Sequence, residues 1–174
     1  MISAAHRAST VKAIIFDVDG VLTDGGLYRS DDGQEIKRFH ATDGLGMRML
    51  ADAGVEIAII TGRTSDVVSH RCRELRIEHV YQGQKDKLGA FESLCQKLEL
   101  TPSEFAYMGD DIIDLPVMKR VGLALTVPHA CDEISAISHW TSVRQGGHGA
   151  AREACELLLK AKGLYGQAVS RYLK

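Results

Sequence analysis

A chain of 174 residues that is 45% apolar and 25% charged has enough material for one packed core, and a formal net charge of −2 argues against nucleic acid or an anionic membrane as partner. No apolar run approaches the roughly 20 residues that cross a bilayer, and the N-terminal stretch through Lys12 has no signal-peptide core. A cytoplasmic protein is expected, with Cys72, Cys95, Cys131 and Cys155 as scattered reduced thiols that form no CxxC pair and sit at no zinc-ligand spacing with histidine.

In chain order, residues 1–10 read as a loose N-terminal arm. Val11–Phe16 is a short apolar, β-branched run, the pattern of a buried strand. It stops abruptly at Asp17 and Asp19, followed by Gly20, and such carboxylates are costly in a crevice unless they hold a cation or do chemistry. Leu27–Ser30 and Glu35–Phe39 flank Asp31-Asp32-Gly33, so residues 24–40 are expected to form a β-hairpin insertion. Apolar spacing predicts a helix over Asp43–Ala53, closed by Gly54. Val55–Ile60 is a second strand. Ser65–Leu75 follows as a helix with Val67, Val68 and Leu75 inward, and His79–Tyr81 is a brief third strand. Leu88, Phe91, Leu94, Cys95 and Leu98 give Lys87–Leu98 a clear 3.6-residue period. Thr101-Pro102-Ser103-Glu104 is a capping box. Strands are expected at Phe105–Met108 and Leu123–Val127, a last strong helix at Ala150–Lys160, and a tail over 163–174.

Strands alternating with helices predict an α/β fold, a Rossmann-like parallel sheet with helices on both faces in a single domain spanning 1–174. Ligands of such sheets bind beyond the carboxyl ends of the strands. The residues following the strands therefore belong together: Asp17 and Asp19, then Thr61-Gly62-Arg63, then Lys85 and Lys87, then Gly109-Asp110-Asp111 with Asp114. Five acids in one pocket need a hard divalent cation, and carboxylates beside a phosphorylated substrate suit Mg2+. One aspartate can attack phosphorus, and a second can protonate the leaving oxygen and then activate water. The Thr61 hydroxyl and a lysine can hold phosphoryl oxygens. By position alone that lysine is Lys85 or Lys87. Asp17 and Asp19 as mere turn carboxylates is the plainer reading, and the further acids count against it. His6, His70, His79, His129 and His139 read as surface or satisfied core residues.

The set Asp17-Val18-Asp19-Gly20-Val21, Thr61-Gly62-Arg63, Lys87 and Gly109-Asp110-Asp111 with Asp114 resembles the four motifs of the haloacid dehalogenase-like phosphatases, in order and across nearly the whole chain. Thr23-Asp24-Gly25, Glu35-Ile36-Lys37-Arg38-Phe39, Asp43-Gly44 with Gly46, Ile112 to Pro116, and Gly146-Gly147-His148-Gly149-Ala150-Ala151-Arg152-Glu153 resemble one subfamily, the 3-deoxy-D-manno-octulosonate 8-phosphate phosphatases of lipopolysaccharide inner-core synthesis. The resemblance implies Asp17 as nucleophile and Asp19 as general acid/base, with the Asp19 backbone carbonyl toward the metal. It implies Thr61 and Lys87 on the phosphoryl group, and Asp17, Asp19, Asp110, Asp111 and Asp114 around Mg2+, with Asp110 a direct ligand. For an acidic sugar phosphate it implies contacts from His40, Ala41, Thr42, Asp43, Gly44, Arg48, Arg63 and Arg71. His40 stands where some members have asparagine, and Arg48 and Arg71 read equally well as solvated helix charges. Neither residues 20–60 nor 64–86 leave room for the cap domain common in the superfamily. The resemblance accordingly implies a homotetramer in which the hairpin and C-terminal tail of neighbours cover the site. Two other readings fit the same motifs: a phosphatase for a nonulosonate 9-phosphate, and a catalytically silent oligomerisation module.

Overall fold

The apolar run before Asp17 forms β1 (Ala13–Phe16), every residue of which is buried. The structure is a computed structural model and describes residues 3–173. β1 lies in the middle of a six-stranded parallel sheet of order β5-β4-β1-β6-β7-β8, in which β4 is Glu56–Ile60, β5 His79–Tyr81, β6 Phe105–Met108, β7 Leu123–Thr126 and β8 Trp140–Thr141. A two-residue period splits each central strand between two cores. Ile14, Phe16, Ile57, Ile59, Met108 and Leu125 pack on one side. Ala13, Ile15, Ala58, Ile60, Phe105 and Tyr107 pack on the other. Both faces are covered, which is why these strands read as unbroken apolar runs.

The first face carries α1 (Ala4–Thr10), α2 (Ala41–Ala51), α3 (Asp66–Glu74), α7 (Ala150–Ala161) and α8 (Tyr165–Ser170). The second carries α4 (Lys87–Leu98), α5 (Leu115–Met118) and α6 (Asp132–Ile137). β2 (Tyr28–Arg29) and β3 (Glu35–Ile36) pair as a separate antiparallel hairpin, shorter than the segments marked in the sequence. The interval from β1 to β4 holds this hairpin and α2, and the interval from β4 to α4 holds α3 and β5.

Several expectations are corrected. The arm expected to be loose is helical from Ala4, N-capped by the Ser3 hydroxyl, and Ala8 is fully buried on the side of α7. Its apolar content is too small to show as a period, but one alanine wedged between helices and the Arg7 bond to the Gly122 carbonyl hold it down. Met1 and Ile2 of that arm, and Lys174 of the tail, lie outside the described residues. Val67 is only half-buried, with Cys72 taking the inner face of α3 beside Val68. The helix at Ala150 is not the last: Gly163, at φ 71°, turns the chain so that α8 folds back and buries Ala168. α2 begins at Ala41 rather than Asp43, which places Asp43 in the first turn, where an acid suits the helix dipole. The four cysteines are free, and burial raises the Cys72 thiol to about 11 and pushes the Cys155 thiol up as well.

Candidate active site

Sheet register assembles the site. Phe16 lies opposite Ile59 on one neighbour and Met108 on the other, so β1 and β6 end level and β4 runs one residue further, to Ile60. The next residues, Asp17, Thr61 with Gly62 and Arg63, and Gly109 with Asp110, are delivered to one rim, and Asp17 N–H still donates to the Met108 carbonyl at 3.0 Å. Asp17, Asp19, Thr61, Arg63, Lys87, Asp110 and Asp111 line a cleft of about 360 Å³ together with Gly25, Gly62 and Ile113.

Of the two lysines, Lys87 is the one that lines the cleft. It opens α4 behind the Asp86 cap, and its side chain is buried whereas Lys85 is exposed. Its Nζ lies 2.9 Å from Asp17 Oδ1 and 2.6 Å from Asp114 Oδ1, and the Tyr107 hydroxyl is 3.3 Å away. Burial alone would lower the lysine's pKa, but the Asp17 and Asp114 carboxylates outweigh it and hold the pKa above its ordinary value. A cation at a helix N-terminus is unfavourable by itself, and these two acids compensate it.

Asp114 is saturated. Oδ1 accepts from Lys87 and from the Tyr107 hydroxyl, and Oδ2 from the backbone N–H groups of Asp110 and Asp111. It thus shapes the Asp110-Asp111 loop. Asp111 is exposed, and its Oδ1 caps the Ile112 N–H. Asp17 and Asp110 differ from both. Asp17 Oδ1 meets Lys87 as an ion pair without a well-directed hydrogen bond, and Asp110 Oδ1 is buried with no hydrogen-bond partner among the described residues. Burial, then Asp114, raises Asp17 to about 6 against the pull of Lys87. Burial, then Asp17 and Asp114, raises Asp110 to about 7. Oxygens of Asp17, Asp110 and Asp114 lie within 4.8 Å of one another. Two buried, under-bonded carboxylate oxygens beside a third acid fit a small hard cation, which takes one or two protein carboxylates and fills its shell with water and substrate. The Asp114 oxygens, with four donors on them, fit a supporting part.

Asp19 is half-buried and engaged differently. Its Oδ1 accepts from Lys37, just past β3, and its Oδ2 is 3.9 Å from Arg63 Nε. Glu35 binds Arg63 with one oxygen and accepts from the Ser65 hydroxyl with the other. The Ser65 hydroxyl, helped by Lys37 and Arg63, holds Glu35 below the usual carboxylate range against the opposing effect of burial. Gly20 has φ 90°, and a Cβ on it would strike Asp110 Oδ2 at 2.0 Å. Gly146 packs so tightly on this loop that a Cβ there would lie 1.8 Å from the Gly20 carbonyl oxygen. Gly146 and Gly147 thus brace the loop after β1 by backbone contact.

The remaining sequence candidates are not drawn into this cleft, apart from Arg63. His40 caps the start of α2 and its ring meets the Thr42 hydroxyl at 2.7 Å, while Ala41 is exposed. Asp43 Oδ1 accepts the Arg152 N–H at 2.8 Å, serving the N-terminus of α7, whose own cap residue, Gly149, has no side chain to offer. Gly44 lies against Arg71, and Gly46 against Arg152, where a Cβ would clash. Arg48 donates to the Leu75 carbonyl at the end of α3 and pairs with Asp52. Arg71 pairs with Glu74 and lies over the Phe39 ring. His40, Asp43, Gly44 and Arg71 line a separate, mostly apolar pocket with Val18, Phe39 and Met47. Sequence reasoning assigned no role to Glu35, Lys37, Ser65 or Tyr107. For Glu35 and Lys37 the available signals were their place in the Glu35–Phe39 motif and their alternation on one face of a hairpin strand.

A parallel sheet with helices on both faces and an aspartate pair closing its central strand defines a haloacid dehalogenase-like hydrolase, and the family model of that description matches residues 76–153. The 3-deoxy-D-manno-octulosonate 8-phosphate phosphatase of Escherichia coli K12 is 44% identical over 93% of this chain and 86% of its own. The phosphatase of that name from Moraxella catarrhalis, solved with magnesium, phosphate and KDO, superposes with a TM-score of 0.95 at 40% identity, covering 97% of both chains. The Yersinia pestis structure of that name gives 0.92 at 41% identity, covering 94% of this chain and 88% of its own. The chain belongs to the 3-deoxy-D-manno-octulosonate 8-phosphate phosphatase family.

Proposed function

We propose that this chain is a magnesium-dependent phosphomonoesterase that hydrolyses 3-deoxy-D-manno-octulosonate 8-phosphate to 3-deoxy-D-manno-octulosonate and phosphate, as a step of lipopolysaccharide inner-core synthesis. The observation that carries the reading is the meeting of Asp17, Thr61 and Lys87 with the under-bonded Asp110 carboxylate in one cleft. Asp17 attacks phosphorus as a carboxylate and forms an aspartyl phosphate, and with its pKa raised to about 6 it is mostly ionised at neutral pH. Lys87 and the Thr61 hydroxyl hold phosphoryl oxygens as charge builds on them. Asp19 gives a proton to the departing sugar oxygen, then takes one from the water that hydrolyses the aspartyl phosphate. Asp17, Asp110 and the Asp19 backbone carbonyl would hold Mg2+, with Asp111 and Asp114 in support, and the ion would supply neutralisation of charge on the transferring group. Arg63 lines the cleft, paired there with Glu35, and is the residue placed to meet the sugar carboxylate.

The family resemblance assigns His40–Gly44, Arg48 and Arg71 to the substrate, although none of them lines the cleft of its own chain and Asp43 and Gly44 are buried. We carry over from the same resemblance a cytoplasmic homotetramer in which the hairpin and C-terminal tail of neighbours cover the site. The tetramer fits the exposed Leu27, Tyr28 and Ile36 on a two-stranded hairpin that would be marginal alone. No helix among the described residues is long and apolar enough to cross a membrane.

The test is phosphate release from a panel of sugar phosphates, with octulosonate 8-phosphate first and nonulosonate 9-phosphates beside it. The parent is expected to favour the octulosonate ester and to lose activity with a chelator. Asp17→Asn is expected to fall below about 10⁻³ of the parent rate with its circular dichroism unchanged. Activity retained in that variant overturns the reading.

A further inference from the structure

From the contacts of the hairpin we infer that Lys37 is a positioning residue for Asp19, anchoring one carboxylate oxygen so that the other is left for proton transfer. The inference rests on the acid/base role proposed for Asp19. At the other described hairpin-strand positions side chains turn outward or are half-buried: Tyr28, Arg29 and Ile36 are exposed, and Glu35 is half-buried. The Lys37 side chain is 2% exposed. A lysine so enclosed is costly unless its charge is met. It is met by Asp19 Oδ1, with Glu35 Oε1 3.6 Å away. Glu35 and Lys37 are two residues apart and share the face of the strand that looks toward the cleft, with Ile36 on the opposite face.

The pairing divides the two oxygens of Asp19. Oδ1 is held by Lys37, whereas Oδ2 is 3.9 Å from Arg63 Nε, too far for a hydrogen bond. Glu35 in turn ties the strand down through Arg63 and the Ser65 hydroxyl at the start of α3. Asp19 is thereby fixed at the end of a tether that runs from the hairpin to the loop after β4. Freed from Lys37, its side chain regains rotamers in which Oδ2 no longer faces the reacting oxygen, and misplacement on that scale costs about 10²-fold in rate.

The readout is the dependence on leaving group. A sugar alkoxide needs a proton as it departs, whereas p-nitrophenolate leaves without one. In single turnover, Lys37→Met is expected to slow release of the sugar from octulosonate 8-phosphate by about 10- to 100-fold. Release of p-nitrophenol from p-nitrophenyl phosphate is expected to change by less than threefold, and KM for the sugar phosphate to stay within a factor of about three. Lys37→Gln repeats the measurement should the methionine variant fold poorly, and Lys37→Arg is expected to restore most of the rate. Equal slowing on both substrates overturns the inference, as does a rise in KM at unchanged kcat, which would make Lys37 a substrate ligand. Asp17→Asn run alongside separates the two claims. Turnover in that variant defeats the phosphatase reading, whereas an inert Asp17→Asn with equal slowing in Lys37→Met defeats only the role of Lys37.

Discussion

Asp110 carries the strongest electrostatic demand for a cation. Its proton affinity is raised to about 7 in the folded chain by burial and by Asp17 and Asp114, against an ordinary carboxylate value of 3.8. Between those two values the folded form keeps a proton that the unfolded form has lost, so stability falls as pH rises through this window and levels off above about 7. With roughly 1.4 kcal/mol for each factor of ten in proton affinity, the loss is a few kcal/mol. Asp110→Asn is therefore expected to be more stable than the parent in chelator at pH 8, with the advantage shrinking toward pH 4. The parent's melting temperature is expected to rise on adding Mg2+ at pH 8, and that of the variant to rise far less. Thermal melts at the two pH values, with and without the metal, check both statements. A variant no more stable than its parent at pH 8 would show that burial of this carboxylate is already compensated within the protein.

At the scale of elements, two glycines make opposite predictions. Gly146 meets the Gly20 carbonyl where a Cβ would sit, and neither backbone can yield cheaply. Gly146→Ala is expected to cost about 1–3 kcal/mol and to lower kcat by displacing the loop that carries Asp17 and Asp19. Gly89, in the first turns of α4, has open space at its Cβ position. Gly89→Ala is expected to add about 0.5–1 kcal/mol with activity unchanged. Urea unfolding midpoints at a single protein concentration compare the two. The difference between these glycines is not visible in the sequence, and the same holds for other parts of the site. Asp17, Thr61, Lys87 and Asp110 were legible because each sits at a strand end or helix start, where local pattern and sheet register combine. Lys37, Glu35 and Ser65 were not, because their meeting depends on how a short hairpin folds back over the loop after β4. Asp43 and Arg48 are expected from the resemblance to contact the substrate. The partners they found, the α7 N-terminus and the α3 C-terminus, belong to elements distant in sequence. The short helix α6 and strand β8 escaped notice because two to six residues are too few to show a period.

For the whole molecule, the exposed apolar side chains of the hairpin matter most. Leu27, Tyr28 and Ile36 are 62%, 46% and 58% exposed, and they cluster on a hairpin whose strands pair over only two residues each. In the proposed tetramer they are the surface that neighbours bury. Ile36→Glu places a charge in that surface while leaving the cleft residues untouched. It is expected to shift the mass in light scattering from four chains toward one and to reduce activity in step with dissociation. An unchanged mass would move the interface elsewhere on the molecule.

The bracing of the Gly20 loop by Gly146 also bears on the order of synthesis. Asp17 and Asp19 leave the ribosome well before the backbone that holds their loop in place. Strand β6 and the Asp110 loop are available before then, yet without residues 146–147 the loop after β1 lacks the backbone contact at Gly20. A nascent chain that already contains every reactive side chain is thus expected to be catalytically immature. An interrupted product would be a poor phosphatase, with no shortage of acids but with no wall against which to aim them.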